Sequence, residues 1–556
     1  MVILFEEYSY NTLTLSKCLD EKYYFSVDSI KSKINYVGYY YDSNTCKDFG
    51  NSVMILPKVF INEQKLVFNE FAPEELIFPS SEVILRLQNK GLDKFLFEIS
   101  TWLYRSIQQF NKRKKANTIS EQNNIHQVIS NIDNLGSTEI DIILSLLKFQ
   151  KENSNLFTFI AKTSHSQLYK INWNKTVNKN QPIIQGNQPL YTNVSSNRKR
   201  INNEEELIIL FFSTLNYLKN KYSFSFKSPP FYELITGIQF ENLLRNGTRY
   251  LKSIKYKYYS DKLVELYKLL FVFFERSSNV KSKKSLTEIL LIKDFNIIFE
   301  DMIDDLIGDT NLLPELKDHA DGKQVDHIYK YNSLILNDSI YFVGDSKYYK
   351  SSTAIGLYSQ AKQFTYAKNV IQHSIDLFNN DKLSIDLQYR DTLTEGYNIT
   401  PNFFISAFVN DKLDYSKSYL KDSGETLQKF HFNNRLFDRD TLFVQTYNIN
   451  FLFVMSAYIS INTTLKQNFK KDTQKHFRNK LLNFIEKNYR IYKITPTNPQ
   501  LEVFVSKYFK LLNGKIYKPS HFDNEILLAF EINSDYSNII DTISVDCSVI
   551  QDFVLT

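Results

Sequence analysis

Residues 340–350, IYFVGDSKYYK, decide how the chain is interpreted, because an apolar run ends there in Asp345, Ser346 and Lys347. A short apolar run of this kind predicts a buried β-strand. Side chains alternate between the two faces of a strand, so Asp345 and Lys347 should project to one side and Ser346 to the other. The stretch therefore predicts an acid and a base at one spot beside a rigid core.

A second strand-like run, KQVDHIYKY at 323–331, precedes this stretch and carries Asp326. Antiparallel pairing of the two runs would bring Asp326 beside Asp345. Two such carboxylates can share a hard divalent cation such as Mg²⁺, which lowers the pKa of bound water and screens charge on a phosphate. Lys347 could then activate that water or stabilise the developing charge. His327 should point to the opposite face, as a packed histidine.

The surrounding elements give this pair of strands a context. Upstream, SLTE at 285–288 predicts a capping box that opens a helix. Gly308 would end that helix. Its buried face is predicted by apolar residues at helical spacing, namely Phe295, Ile298, Phe299, Met302, Ile303 and Leu306. Downstream, 354–372 predicts a further helix and NFFISAFV at 402–409 a further strand. The order is helix, two strands, helix, strand.

This order resembles the core of the PD-(D/E)xK nucleases. The resemblance covers about 290–410. Within that superfamily, the chain is similar to the nuclease subunit of McrBC-type restriction systems, and especially to their LlaJI-type relatives. The stretches that carry the closer similarity are VDHIY (325–329), IYFVGDSKYYK (340–350) and SQAKQFTYAK (359–368). Shorter blocks with the same resemblance are FNIIFEDM (295–302), YVGYYYD (36–42), MILPK (54–58), INWNKTV (171–177) and 434–454.

The resemblance implies a role for each matching residue. Asp326 and Asp345 match the two metal ligands, and Lys347 matches the catalytic lysine. Glu300 matches the acid of the leading helix, although it lies off the centre of the apolar face. The polar face of the following helix is matched by Lys362, Gln363 and Tyr366. Ser346 departs from the small or apolar residue that is usual between the acid and the lysine. The alternative interpretation makes Asp345 and Lys347 an ion pair at a strand end and Asp326 a surface acid.

The length of 556 residues predicts several domains. We expect an α/β protein, more closely an α+β multidomain one. A mixed α/β domain at 1–120 would contact a motor subunit or DNA, and a loop-rich, then helical, middle region would fill 121–284. The nuclease core, a mixed sheet flanked by helices, would occupy 285–410. The remaining 411–556 would extend the nuclease domain.

Net charge is +6, and basic residues cluster in NKRKK (111–115), NRKR (197–200) and KSKK (281–284). Such clusters can neutralise phosphates, and the alternative for any single cluster is a solvated loop. Lys281, Lys283 and Lys284 are the DNA-binding candidates, because their cluster is the closest in sequence to the nuclease core. The alternative is a solvated linker.

The resemblance also implies cofactors and partners. Mg²⁺ would be the cofactor, with Mn²⁺ as a substitute, and double-stranded DNA the substrate. The sequence contains no GxxxxGK[ST] phosphate loop, so nucleotide hydrolysis would fall to a separate McrB-like AAA+ GTPase or ATPase subunit. No apolar run reaches the ~18–20 residues of a membrane span, and the N-terminus lacks the features of a signal peptide. Three widely spaced cysteines argue against a disulfide framework and fit a reducing compartment. We therefore expect a cytoplasmic protein.

These observations predict an Mg²⁺-dependent DNA endonuclease subunit of a restriction system that defends against phage. Two alternatives stay open: a non-cleaving DNA-binding or assembly module with a nuclease fold, and a stand-alone DNA-repair nuclease. The intact set of Asp326, Asp345 and Lys347 argues against loss of activity.

Overall fold

Apolar residues recur along the sequence with two spacings, every second residue and every three to four residues. The first spacing is typical of strands and the second of helices. The structure is a computed structural model that describes residues 1–45, 52–115, 125–129, 138–157, 160–164, 170–200, 205–282, 286–309, 312, 314–317, 325–335, 338–348, 355–380, 389–424, 427–429, 434–497 and 500–555. The α/β class expected from the sequence is confirmed.

Two compact units divide the chain, and each is assembled from separated segments. The first unit comprises 1–56, 73–101 and 125–292, and the second comprises 57–72, 102–124 and 293–556. Segments from the N-terminal part of the chain therefore belong to the same unit as Asp326 and Asp345. The division into four consecutive segments stays a prediction.

The first unit is built on a mixed sheet with the order β1-β6-β5-β12-β7. Its strands are β1 (Val2–Phe5), β5 (Tyr36–Asp42), β6 (Val53–Leu56), β7 (Ile125–Ile129) and β12 (Thr287–Lys293). Strands β1 and β6 run parallel, and every residue of both is buried. Smaller ladders are formed by β2 (Tyr10–Asn11), β3 (Phe25–Ser26), β4 (Lys31–Lys33), β8 (Ile160–Ser164), β9 (Ile183–Gln185), β10 (Gln188–Leu190) and β11 (Ser196–Arg200).

The helices of the first unit pack into a hydrophobic core. They are α1 (Thr12–Leu15), α2 (Ser81–Asn89), α4 (Glu139–Glu152), α5 (Trp173–Lys179), α6 (Glu206–Tyr222), α7 (Gly237–Ile254) and α8 (Asp261–Lys281), together with the first part of α3 (Leu92–Lys115). Aromatic side chains dominate their packing: Phe157 stacks on Phe211, and Phe273 packs edge-on against Phe274. The strong helical pattern beyond Glu204 is thus buried against its own neighbours.

The second unit contains the mixed sheet β13-β14-β15-β18-β16. Its strands are β13 (His327–Asn332), β14 (Ser339–Lys347), β15 (Pro401–Phe408), β16 (Lys421–Asp422) and β18 (Leu442–Asn450), and β17 (Leu427–Lys429) also pairs with β18. Strands β14, β15 and β18 run parallel, whereas β13 pairs antiparallel with β14. The order of helix, two strands, helix and strand expected for 290–410 is present.

Helices flank this sheet, and a second sheet follows it. The helices are α9 (Asn296–Ile307), α10 (Pro314–Lys317), α11 (Leu357–Asn379), α12 (Phe451–Tyr458), α13 (Thr463–Asn488), α14 (Leu501–Leu512) and α15 (Ser537–Ser544). The second sheet, β20-β21-β19-β22, contains β19 (Tyr489–Pro496), β20 (Ile516–Tyr517), β21 (Ile526–Glu531) and β22 (Cys547–Asp552). In the described part of the chain, no helix is both long and apolar enough to cross a bilayer.

The helix expected from the capping-box pattern at 285–288 is wrong. Ser285 lies outside the described residues, and Thr287–Lys293 forms strand β12. The run TEILLIK is apolar and partly β-branched, and its burial in the sheet outweighs a local capping preference. Glu288, the acid of the supposed box, is instead buried in an ion pair with Arg276. The following helix begins only at Asn296 and ends at Gly308, with the predicted apolar face fully buried.

Candidate active site

Strand β14 carries the central residues of the site because its sequence suits a strand packed on both faces. Residues 340–346 are all buried, and only the two end residues are partly exposed. Asp345 is 3% exposed and forms an ion pair with Lys347 on the same face of the strand. The Lys347 ammonium lies 5.8 Å from the centre of the Phe404 ring on the neighbouring strand β15. The expected pairing of acid and base at one spot is therefore present.

Asp326 lies opposite Asp345, as the sequence predicts. His327 pairs with Gly344 in the antiparallel ladder, and continuing this register by one residue sets Asp326 against Asp345. The backbone N–H of Ser346 donates to Asp326 Oδ2 at 3.3 Å. His327, on the other face, is completely buried with its ring parallel to that of Phe403. Only Asp326 of this pair of neighbours therefore faces the site.

The carboxyl groups of this site are electrostatically coupled. Burial raises the pKa of Asp326 well above its ordinary value, and the negative charges of Asp345 and Glu300 raise it further. Burial, with a contribution from Asp345, raises the pKa of Glu300 to about 7. Three acids thus share a region where negative charge is poorly solvated.

Glu300 reaches this region from helix α9. Its carboxylate accepts a hydrogen bond from the Asn296 side chain at 3.4 Å, one turn earlier in the helix. Positive charges on Lys347 and Lys362 oppose part of the increase in the pKa of Glu300. Asp301, the next residue, accepts a hydrogen bond from Tyr458 instead. Of these adjacent acids, Glu300 is the one coupled to Asp345.

The three residues taken from helix α11 occupy different environments. Gln363 is buried, and its Nε2 donates to the Val343 carbonyl at 3.1 Å and to Asn402 Oδ1 at 3.3 Å. Tyr366 is also buried, whereas Lys362 is exposed and lies 5.1 Å from the Tyr366 ring. Burial would lower the pKa of Lys362, but the Tyr366 hydroxyl and the charges of Asp345 and Asp326 raise it overall. Gln363 therefore fixes α11 to strand β14, and Lys362 is the cation of this helix that is influenced by the acids.

An aromatic cluster anchors the end of β14, and sequence reasoning missed it. Tyr348, next to Lys347, packs against Phe295 and Phe299 of α9 and against Phe451. Lys58 lies 5.5 Å from the centre of the Tyr348 ring. Lys58 belongs to a segment almost three hundred residues away in sequence, and no local pattern indicated that it would lie here.

The site offers a metal ion two adjacent carboxylates and no complete set of protein ligands among the described residues. Among the described residues, no group of three or more His, Cys, Asp and Glu side chains is arranged to hold one. Asp326 and Asp345 nevertheless fit Mg²⁺, which is commonly held by one or two carboxylates together with water and substrate phosphates. The two buried carboxylates repel each other, and a bound divalent cation would reduce that repulsion.

The basic clusters differ in what the structure describes. Lys281 forms an ion pair with Glu241 at 2.8 Å in the first unit, and Lys283 and Lys284 lie outside the described residues. Arg113, in the cluster at 111–115, pairs inward with Asp301 and Asp305. The side chains of the cluster at 197–200 are outside the described part. DNA binding by Lys281, Lys283 and Lys284 therefore stays a prediction.

Comparisons with known proteins show that part of the chain is similar to one family. Residues 81–318 match the model of the LlaJI restriction endonuclease family, which confirms the LlaJI-type resemblance over that range. The match ends before Asp326, so the assignment of Asp326, Asp345 and Lys347 depends on their geometry. No curated protein matches the sequence. A chain of the Thermococcus gammatolerans McrBC complex, known from a cryo-EM structure, aligns at 11% identity over 55% of this chain and 88% of that chain. The TM-score of 0.18 is too low to establish a shared fold.

Proposed function

Because residues 81–318 match the LlaJI restriction endonuclease family, we propose that this chain is the DNA-cleaving subunit of a restriction system that defends against phage. The substrate is double-stranded DNA, and the reaction is Mg²⁺-dependent hydrolysis of its phosphodiester bonds. One observation carries this proposal: Asp326 and Asp345 lie opposite each other in the strand register, with Lys347 on the same face as Asp345. This is the arrangement expected of a PD-(D/E)xK site.

Asp326 and Asp345 would hold the cation, with Mn²⁺ able to replace Mg²⁺. When bound, the divalent cation supplies Lewis-acid stabilisation of negative charge on the phosphate. Lys347 places an ammonium group beside Asp345, where it can orient the attacking water and stabilise charge in the transition state. Glu300, whose pKa is about 7, can accept or hold a proton near neutral pH. Lys362 adds a second positive charge, and Gln363 and Tyr366 keep its helix in place.

The energy source would be a separate subunit. The chain contains no GxxxxGK[ST] phosphate loop, so we infer that a McrB-like AAA+ GTPase or ATPase drives the enzyme. Purified alone, the chain should cut DNA slowly or without specificity. Adding that subunit and its nucleotide should increase the rate of cleavage of cognate DNA. Efficient, sequence-specific cutting by this chain alone would contradict the inference.

The decisive experiment compares two Asp-x-Lys pairs in full-length protein. Asp345→Ala and Lys347→Ala should each lower Mg²⁺-dependent cleavage of plasmid DNA by about 10²–10³-fold, the usual effect of losing one electrostatic contact in a transition state. Asp20 and Lys22 have the same spacing but are exposed and 3.6 Å apart. Asp20→Ala and Lys22→Ala should cleave as the wild type does.

The two alternative functions give different results in this assay. A non-cleaving assembly module would show no Mg²⁺-dependent activity in the wild type, even with its partner subunit. A stand-alone repair nuclease would cut damaged or branched DNA efficiently with no partner. Full activity of Asp345→Ala would remove Asp345 from the mechanism and with it the proposed site.

A further inference from the structure

Helix α13 is strongly basic and lies in the second unit, which also carries Asp345. Its 26 residues include seven Lys or Arg and two acidic residues. Apart from Lys470 and Lys471, the basic residues are separated in sequence, so the helix did not appear among the basic clusters found by reading along the chain. Helical geometry brings them together on particular faces.

The cations on the inner face of α13 are already neutralised or bonded. Lys466 pairs with Asp305 at 2.8 Å, and Lys470 pairs with Asp309 at 2.6 Å. Arg478 donates two hydrogen bonds to the Ser333 carbonyl, at 2.7 and 2.9 Å. These contacts hold the helix to its own unit.

The outward cations belong to a regular row, which we call the outer row: Lys471, Lys475, Asn479, Asn483 and Lys487. Each member follows the previous one by four residues, so the row forms a continuous ridge along the helix. All five side chains are exposed. Within the described part of the chain, none of these side chains makes a hydrogen bond or an ion pair, and no acid interrupts the row.

A groove of about 690 Å³ lies beside the row and is lined by its Asn479, Asn483 and Lys487. Asp422, at the end of strand β16, is the carboxylate in its lining. That carboxylate is bound by Lys480 at 3.2 Å and by His476 at 3.3 Å. Its negative charge is therefore compensated, and the groove offers amide and ammonium donors to an incoming group.

We propose that the outer row and this groove bind the phosphodiester backbone of duplex DNA away from the cleavage site, on the other side of the sheet from Lys347. Lysine and asparagine side chains are standard donors to phosphate oxygens. Four residues advance about 6 Å along a helix and turn about 40° beyond one full turn, so neighbouring members of the row can contact one phosphodiester strand. The occupant is a polyanion, and the choice of DNA rests on the function proposed above.

The outer row is separate from Asp326, Asp345 and Lys347, the residues of the proposed active site. Helix α13 packs on the sheet through Phe477, which contacts Phe403 and stacks on Tyr447. Lys347, in contrast, lies over Phe404, the next residue of β15, and therefore on the opposite face of the sheet. Contacts at the row consequently contribute to DNA affinity and leave the chemical step unchanged.

The test uses full-length protein carrying Lys475→Ala, Asn483→Ala and Lys487→Ala together. DNA affinity is measured by fluorescence anisotropy from 50 to 200 mM salt, in an Asp345→Ala background that prevents cleavage. Loss of two phosphate contacts should flatten the plot of log affinity against log salt by about 1.8, with the same change for duplexes of different sequence. In a background with Asp345 intact, KM for DNA should rise and kcat should stay at the wild-type value.

A matched control carries Lys17→Ala, Lys510→Ala and Asn538→Ala, which remove the same charge from exposed positions elsewhere. A row variant with the affinity and salt slope of this control overturns the proposal. Two other results also overturn it: loss of affinity for some sequences only, which indicates base reading, and loss of binding to the AAA+ subunit with DNA binding intact, which indicates a protein interface. Cleavage by Asp345→Ala would instead refute the proposed nuclease site and leave the salt slope as an independent result.

Discussion

Asp326 occupies a position that is costly for an ionised carboxylate. Its pKa is raised by burial and by the charges of Asp345 and Glu300, so the folded chain is strained electrostatically where these residues meet. The proposed metal site would require this concentration of charge, because a site that attracts a divalent cation must hold negative charge in its absence.

Removing one of these charges should stabilise the protein when no divalent cation is present. We expect Asp326→Asn to raise the melting temperature in EDTA, because it keeps the shape of the side chain and ends the repulsion from Asp345. MgCl₂ should raise the melting temperature of the wild type, since a ligand that binds the folded state stabilises it, and should have little effect on the variant. Differential scanning fluorimetry measures both. Asp472→Asn, at an exposed position of α13, is the control and should behave as the wild type in both buffers.

At the scale of single elements, strand β14 depends on a glycine. A Cβ atom built on Gly344 would lie 2.1 Å from the Phe403 ring. That ring is fixed by Phe477, whose centre is 4.9 Å away, and by Tyr329. The strand can approach its neighbour this closely because Gly344 has no side chain.

Gly344→Ala should therefore destabilise the second unit by about 1–3 kcal/mol, the usual cost of overpacking a core. The displaced strand carries Asp345 and Lys347, so cleavage should fall as well. Chemical denaturation and the plasmid assay measure the two effects. Gly356→Ala, where a Cβ meets nothing within 4 Å, should change neither, and equal stability of the two variants would refute this account of the strand.

Helix α4 begins with a buried acid whose charge is fully paired. Glu139 contacts Lys221 of α6 at 2.8 Å and Arg276 of α8 at 3.2 Å. Burial would raise the pKa of Glu139, but the charges of Arg276 and Lys221 outweigh it and lower the pKa from 4.5 to about 2. A depressed pKa stabilises the fold above the ordinary value, and this stabilisation is lost as the pH falls toward 2.

The first unit should accordingly lose stability between pH 5 and pH 2. From the size of the shift, Glu139 contributes on the order of 3 kcal/mol to this loss. In Glu139→Gln the unfolding free energy should be lower at pH 7 and should fall less steeply with acid. Urea unfolding at a series of pH values provides the measurement. Glu152→Gln, an exposed acid at the end of the same helix, should retain the wild-type slope, and parallel slopes for all three proteins would contradict the prediction.

Local pattern was enough to predict the elements around Asp345. The apolar stripe of α9, the two strands and the register between Asp326 and Asp345 all follow from spacing of 3.6 or 2 residues. Long-range packing decided the rest. TEILLIK forms a strand because it pairs with other strands of the sheet in the first unit. Arg113 forms ion pairs with Asp301 and Asp305, which are distant from it in sequence. Neither partner is visible in the local sequence. The outer row of α13 was detectable, since its spacing of four residues is a property of the sequence.

For the whole molecule, the composition of the second unit has practical consequences. Phe60 packs on Phe451, and Gln109 donates to the Tyr458 carbonyl at 2.9 Å. Both Phe60 and Gln109 precede residue 125, whereas their partners lie beyond 450. The unit therefore does not correspond to any continuous stretch of the chain.

A fragment comprising 293–556 should be unstable by itself, because it lacks the segments 57–72 and 102–115 that complete its core. We expect rapid digestion by a nonspecific protease and no cooperative unfolding transition. Co-expression with the fragment 1–292, which contains both segments, should restore protection. A sharp melting transition of 293–556 alone, at the temperature of the full-length protein, would show that the two segments are dispensable.

The interleaved segments also set the order of events during synthesis. At about 5–20 residues per second, roughly 10–45 s separate the appearance of residue 72 from that of residue 296. Segment 57–72 is therefore synthesised well before Asp326, Asp345 and Lys347, which belong to the same unit. A translation product truncated before Asp326 would contain the N-terminal segments of the second unit but none of Asp326, Asp345 and Lys347, the residues of the proposed site. Interleaving thus delays the assembly of the proposed cleavage site until synthesis has passed Lys347.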